Sequence, residues 1–116
     1  MDKDLKQNSR AFAVKVVLLH KQLSARKKET VMSEELLRSG ASIGAELAKA
    51  ECSLNKNDQF ARLYKALQNC AEAKFWLELL NDTDLLTEFE YNDTIKDCSE
   101  LGKLLVARVK SFRAGQ

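Results

Sequence analysis

The 116-residue sequence contains no proline, and glycine occurs only four times. Because proline is the strongest interrupter of helices, its absence means that each helix must end at Gly, Asn, Asp or Ser instead. Hydrophobic residues make up 45% of the chain and charged residues 31%. This composition, with so few residues that favour turns, predicts a single domain that is helical almost throughout.

Cysteine is also scarce, and the three present, Cys52, Cys70 and Cys98, form no Cys-x-x-Cys motif. Their odd number argues against an internal disulfide framework, so we expect a reducing, cytoplasmic environment. Cys70 and Cys98 fall on apolar helix faces, where free cysteine packs as a small hydrophobic residue. No apolar run approaches the roughly 18 residues of a membrane helix, and no signal-peptide pattern is present. No membrane association is predicted.

Residue types that perform catalysis or bind metals are few. The only histidine is His20, and one imidazole without a partner makes neither a catalytic triad nor a metal site. A di-iron site in a helical bundle needs Glu-x-x-His pairs, which the sequence does not contain. The segment from Gly40 to Gly44 lacks the lysine and hydroxyl of a phosphate-binding loop. The sequence therefore predicts no enzymatic activity, no metal and no cofactor.

Apolar residues recur at helical spacing in four segments. The predicted helices span about residues 9–24, 31–52, 58–80 and 94–113 of one domain covering 1–116, with Ser9 as the first N-cap. Four amphipathic helices joined by short connections favour an all-α, antiparallel up-down-up-down four-helix bundle. Residues 85–92 are predicted to be a connection whose apolar side chains cover one end of the bundle: Leu85, Leu86, Phe89 and Tyr91.

The second predicted helix carries a run of small side chains, LLRSGASIGAELAKA, over residues 36–50. Glycine in a helix interior costs roughly 1 kcal/mol against alanine, so Gly40 and Gly44 need a compensating contact. Close approach of another helix, from this chain or from a second copy, is the explanation that we favour. The residues predicted to make this close packing or an oligomer interface are Ser39, Gly40, Ser42, Ile43, Gly44 and Leu47.

Two charged residues lie beside apolar positions of the second and third helices. Arg38 follows Leu37, and Glu72 lies between two alanines. A buried or half-buried Arg38–Glu72 pair would fix the register of the two helices, since either charge alone would be costly to bury. The alternative is that both side chains face solvent on opposite sides.

Charge is distributed unevenly along the chain. Residues 1–28 carry eight Lys or Arg and two acids, whereas residues 78–100 carry one and eight. The predicted topology gathers cations at one end of the bundle, here named the basic pole: Lys3, Lys6, Arg10, Lys49, Lys56, Lys110 and Arg113. We expect this pole to bind RNA or DNA phosphates without sequence preference. Phe60 and Phe112 are expected in the core, so no surface for base stacking is predicted. The alternative function is a protein-interaction module whose helix faces dock a partner enzyme such as a polymerase, without direct nucleic-acid contact.

Three segments of the chain resemble one known family. The sequence LLRSGASIGAELAKAE at residues 36–51 resembles the LLRSGTSIGAN signature of the 23S rRNA intervening-sequence protein family. The sequence RAFAVKVVLL at residues 10–19 is similar to that family's first helix, and residues 58–80 are similar to its third. The resemblance extends from residue 10 to about residue 110.

The resemblance implies an antiparallel four-helix bundle without enzymatic activity that assembles into a ring, typically a homopentamer. A related branch comprises accessory proteins of diversity-generating retroelements, which are similar basic rings acting with a reverse transcriptase and nucleic acid. The chain departs from the family pattern at four polar positions. Glu46 replaces an asparagine, Lys49 a glutamate, Gln59 a phenylalanine and Asn69 a glutamate.

Overall fold

The computed structural model describes residues 3–115, which form four helices. Helix α1 spans Lys3–Arg26, α2 spans Val31–Glu51, α3 spans Lys56–Asp82 and α4 spans Glu88–Ala114. No strand occurs within this part of the chain, and the bundle measures 47 × 20 × 20 Å. The predicted all-α four-helix bundle is confirmed.

Each helix packs against two others around a square. Helices α1 and α3 both contact α2 and α4. Along the first pair, Gly40 faces Val16, whereas the later Gly44 faces the earlier Ser9, so α1 and α2 run in opposite directions. With short connections, this topology brings the start of α1, the end of α2, the start of α3 and the end of α4 to the same end of the bundle.

Leucine dominates the core between the helices. Each helix contributes apolar residues at spacings of three and four, which place them on one face. Full burial of a side chain of this size stabilises the fold by roughly 1.5–3 kcal/mol relative to exposure. The largest fully buried side chains are Leu5, Phe12, Val16, Leu23, Leu36, Ile43, Leu47, Leu63, Leu77, Leu80, Leu101 and Leu105.

Helix α1 begins at Lys3, so the prediction that Ser9 caps it is wrong. The apolar stripe of the helix starts earlier than the periodicity indicated, because Leu5 is completely buried. Ser9 is buried within the helix, and its hydroxyl donates a hydrogen bond to the carbonyl of Lys6 at 3.0 Å. Burial of Leu5 therefore secures helical turns that precede the predicted helix start at Ser9.

Helix α4 also begins earlier than predicted, at Glu88 instead of near residue 94. Thr87 is its N-cap: the Thr87 hydroxyl accepts from the Glu90 backbone N–H at 3.1 Å, and the Glu90 carboxylate accepts from the Thr87 N–H at 2.8 Å. This reciprocal capping box satisfies two donors at the helix start. Arg26 at the end of α1 also donates to Glu90, at 3.0 Å. Part of the segment predicted to be a connection is therefore helical.

Candidate interaction surfaces

The small-residue stretch of α2 lies against α1 of the same chain. A Cβ atom at Gly40 would lie 3.0 Å from Val16 Cγ2 and 3.3 Å from Phe12 Cε2, which is tighter than nine in ten real Cβ contacts. At Gly44 the nearest atom would be Ser9 Oγ, at an ordinary 3.7 Å. Gly40 is therefore the more tightly enclosed of the two glycines, because side chains of α1 already fill the space beside it.

The remaining predicted packing residues divide into buried and half-exposed groups. Ser39, Ile43 and Leu47 are buried in the bundle, and the Ser39 hydroxyl donates to the carbonyl of Glu35 at 2.8 Å. Ser42 and Gly44 keep part of their surface open. Contact of this outer side with a second copy of the chain stays a prediction.

Arg38 and Glu72 contact each other across α2 and α3. The pair lies at the surface and is not buried, because the side chains are 51% and 36% exposed. Glu35 also accepts from Arg38, at 2.8 Å, and Glu72 accepts from the indole N–H of Trp76, at 2.9 Å. Exposed ion pairs of this kind contribute about 0–1 kcal/mol, so the network orients side chains more than it stabilises the bundle.

A second charged cluster joins the same two helices around a buried carboxylate. The Glu46 side chain is 5% exposed, and it lies 3.2 Å from the Arg62 guanidinium, 3.5 Å from Lys49 Nζ and 3.9 Å from Lys65 Nζ. A buried carboxylate requires such partners. In the sequence, Glu46 was noticed only as a departure from the family signature. Its spacing of three residues from Ile43 was the available signal that it faces inward.

The seven cations of the basic pole lie in the segments that the topology brings to one end of the bundle. Lys6 pairs with Glu51 at 3.4 Å, and Lys49 pairs with Glu46. The other five form no ion pair with another residue of the described chain: Lys3, Arg10, Lys56, Lys110 and Arg113. Their charges are therefore available to an anionic partner.

Aromatic side chains lie next to one of these cations, Arg113. The Phe60 ring is 6.2 Å from the Tyr64 ring and 5.7 Å from the Phe112 ring. Arg113 lies over Phe60 at 5.9 Å, and Arg108 lies over Phe112 at 5.6 Å. Phe60 and Phe112 are half-buried at the edge of the core, and Tyr64 is 43% exposed. The expectation that the pole has no aromatic surface is therefore wrong, because Tyr64, next to Phe60, is exposed.

An apolar surface, here named the α1–α4 apolar face, consists of Val14, Leu18 and Phe89. Val14 and Leu18 are each 53% exposed and Phe89 is 76% exposed, and all three line one shallow groove. Phe89 was predicted to cover the bundle end, but it points outward because α4 has already begun at Glu88. Exposed apolar clusters of this kind commonly mark contact surfaces.

Few of the described side chains are of the types that perform catalysis or bind metal ions. His20 Nδ1 lies 2.7 Å from the Ser33 hydroxyl, which gives the ring a structural partner. Across residues 3–115, no group of three His, Cys, Asp or Glu side chains could hold a metal ion. No helix in this range is long and apolar enough to cross a membrane.

These features define a class of protein: a four-helix bundle whose distinctive parts are charged and apolar surfaces. The family model described as 23S rRNA-intervening sequence protein matches residues 1–107, and the chain belongs to that family. The chain is also similar to a protein of unknown function from the S23 ribosomal protein family of Bacteroides thetaiotaomicron VPI-5482, known from its crystal structure, with 40% identity and a TM-score of 0.89. That match covers 91% of this chain and 98% of the other. No curated protein matches the chain.

Proposed function

We propose that this protein is a non-catalytic, self-associating bundle of the cytoplasm that binds RNA or DNA through its basic pole without sequence preference. The observation that carries the proposal is the set of five basic-pole cations without ion pairs, one of which, Arg113, lies over Phe60 next to the exposed Tyr64. Cations that contact phosphates and an aromatic ring on which a base stacks are the two elements of single-strand binding.

Phosphate contact explains why no sequence preference is expected. Lysine and arginine at the end of a bundle can contact phosphates, but such contacts carry no sequence information. The family name refers to an intervening sequence of 23S rRNA, which makes single-stranded RNA the first nucleic acid to test.

Self-association is supported by the α1–α4 apolar face, which leaves three large apolar side chains in water. The family resemblance favours a closed homopentamer. A closed ring would repeat the basic pole in each subunit, so that weak contacts add along one nucleic acid strand. Assembly and nucleic-acid binding are thus separate properties that reinforce each other.

Salt-dependent binding is the direct test of the nucleic-acid half. Fluorescence anisotropy of a labelled single-stranded RNA is measured over a range of salt concentrations for the wild type and for the triple variant Lys56→Ala, Lys110→Ala, Arg113→Ala. We expect the affinity to fall steeply with salt, and each lost phosphate contact to reduce the slope of log affinity against log salt by about 1.

The matched control removes three exposed cations at the opposite end of the bundle, with Lys21→Ala, Lys27→Ala and Lys28→Ala. Equal losses in the two triple variants, or binding that is indifferent to salt, would overturn nucleic-acid binding through the basic pole. Tyr64→Ala should weaken the binding of single strands more than that of duplexes, since only unpaired bases stack on it.

Light scattering tests self-association independently. The wild type should form a discrete oligomer, and Leu18→Glu with Phe89→Ser should shift it to the monomer while the helical circular dichroism is kept. A monomeric wild type at tens of micromolar would remove this half of the proposal only. An oligomer that fails to bind any nucleic acid would instead favour the protein-interaction module.

A further inference from the structure

The outer sides of α3 and α4 do not close against each other. A groove of about 640 Å³ runs between them, and its volume falls in the range of roughly 300–1,000 Å³ that is typical of small-molecule sites. Its apolar surface comes from Leu67, Ala71, Gly102 and Val106, with Cys70 beneath Gly102. Val106 is 38% exposed, so apolar surface of this groove is in contact with water.

The groove carries positive charge and no carboxylate. Lys74, Lys103 and Lys110 line it, and no Asp or Glu does. None of the three lysines forms an ion pair with another residue of the described bundle. An anion placed here would therefore meet cations whose charge is not already neutralised.

Small side chains keep the groove open. Gly102 has only the Cys70 sulfur, 3.6 Å from the position of a Cβ atom, as a near neighbour, and Ala71 and Ala107 flank it. A narrow apolar ligand can contact such a surface and displace water from it, and the gain in free energy is proportional to the apolar area that is covered. The groove thus combines an apolar bed with charged groups along its edges.

We propose that the α3–α4 groove binds a single-chain anionic amphiphile, such as a fatty acid carboxylate, as a monomer from solution. The acyl chain lies along Leu67, Ala71, Gly102 and Val106, and the anionic head is held by the groove lysines. This ligand class matches both the apolar surface and the positive charge of the groove. A neutral hydrocarbon would make no charge contact with the lysines, and a small polar anion would leave the apolar surface exposed to water. The groove shares Lys110 with the basic pole, but the proposal does not require that the pole binds nucleic acid.

Ligands that share one tail but differ in head charge provide the test. Dodecanoate, dodecyltrimethylammonium and dodecyl maltoside are titrated below their micelle concentrations into methyl-labelled protein. Dodecanoate should shift the methyl signals of Leu67 and Val106 and leave those of Leu54 and Val31, which are exposed elsewhere, unchanged. The cationic amphiphile should bind at least about 10-fold more weakly, because it meets three like charges.

Variants identify the groove as the site. Ala71→Leu fills the apolar bed from an exposed position and should weaken dodecanoate binding about 10-fold or more. Lys103→Ala should weaken it about 3- to 10-fold, whereas Lys96→Ala, an exposed α4 lysine outside the groove, should not change it.

Three outcomes would overturn the proposal. The first is equal binding of all three amphiphiles, and the second is larger shifts at Val14 and Leu18 than at Leu67 and Val106. The third is flotation with phosphatidylglycerol vesicles that requires the groove lysines while monomeric dodecanoate fails to bind, which would assign the groove to a membrane surface.

Discussion

Gly40 and Gly102 are both glycines inside helices, but the helix interfaces around them differ. At Gly40, atoms of Val16 and Phe12 occupy the space that a side chain would take, at 3.0 and 3.3 Å from the Cβ position. At Gly102, only the Cys70 sulfur lies near, at 3.6 Å, and the groove of about 640 Å³ lies beside it. The α1–α2 interface is closed at Gly40, whereas the α3–α4 interface is open on its outer side at Gly102.

The difference comes from what faces each glycine. In the α1–α2 interface, a β-branched and an aromatic side chain fill the space that Gly40 leaves. In the α3–α4 interface, small residues stand on both helices, with Ala71 on one side and Gly102 and Ala107 on the other. At these two positions, the glycine is enclosed where the facing helix supplies bulky side chains, and it borders a groove where the facing side chains are small.

The largest effect is expected when the closed interface is overfilled. Gly40→Leu should lower the free energy of unfolding by about 3 kcal/mol or more, because Val16 and Phe12 must move and the core is close-packed. Gly102→Leu should change it by about 1 kcal/mol or less, since the new side chain can enter the groove. Urea denaturation measures both. Equal losses at the two positions would contradict the distinction between closed and open interfaces.

The next largest effect is expected at Glu46, where the variant tests whether the stability of the bundle depends on a buried charge of α2 as well as on packing. Glu46→Ala should lower the free energy of unfolding by about 1–2 kcal/mol, because the hydrogen-bonded buried carboxylate is lost. The loss stays moderate because Arg62 and Lys65 are partly exposed and can be hydrated. Glu35→Ala removes an exposed partner of Arg38 and serves as the control, with an expected change below about 0.5 kcal/mol. A neutral Glu46→Ala would show that the cluster is dispensable.

A smaller effect of opposite sign is expected in the open interface. Gly102→Ala should raise the free energy of unfolding by about 0.5–1 kcal/mol, because alanine is the better helix former and a Cβ there makes an ordinary contact. Gly44→Ala should behave similarly, since its Cβ would lie 3.7 Å from Ser9 Oγ. Thermal unfolding followed by circular dichroism tests both variants. A loss of stability at Gly102 would mean that the α3–α4 interface is tighter than the structure indicates.

The bundle was predictable because helical periodicity reports the side of each helix that faces the core. The glycine density of α2 likewise indicated a close helix contact. The sequence left open whether this contact belonged to the same chain or to a second copy, because that choice depends on the tertiary position of Val16 and Phe12. The inward position of Glu46 was missed for a related reason, since glutamate on a core-facing side becomes acceptable only once Arg62 is adjacent.

The interaction surfaces were less predictable than the fold. The gathering of cations follows from topology, so the basic pole could be deduced before the structure was known. The aromatic cluster around Tyr64 and the groove at Gly102 depend on which sides of α3 and α4 stay uncovered, and no local pattern encodes that. The start of α4 was different, because Thr87 followed three residues later by Glu90 is a readable capping box that was overlooked in an acidic segment.

That capping box is the basis of the smallest expected effect, at the start of α4, where Glu90 contacts Arg26 of α1. Burial acts to raise the pKa of Glu90, but hydrogen bonds from the Thr87 backbone N–H and the Arg26 guanidinium, together with the charge of Arg26, hold the pKa below its ordinary value. A carboxylate of this kind contributes stability that is present above the unfolded-state pKa and is lost as the pH falls through the lower folded-state pKa.

Glu90→Gln removes the charge while leaving an oxygen that can accept from Thr87. The difference in the free energy of unfolding between wild type and Glu90→Gln should therefore be largest near neutral pH and shrink as the pH falls below about 4, the ordinary range of glutamate. Urea denaturation at several pH values measures it. Glu88→Gln, on the same first turn but without the Arg26 contact, is the control and should show a smaller dependence on pH. A difference for Glu90→Gln that stays constant with pH would mean that the charge of Glu90 does not help to hold α4 against α1.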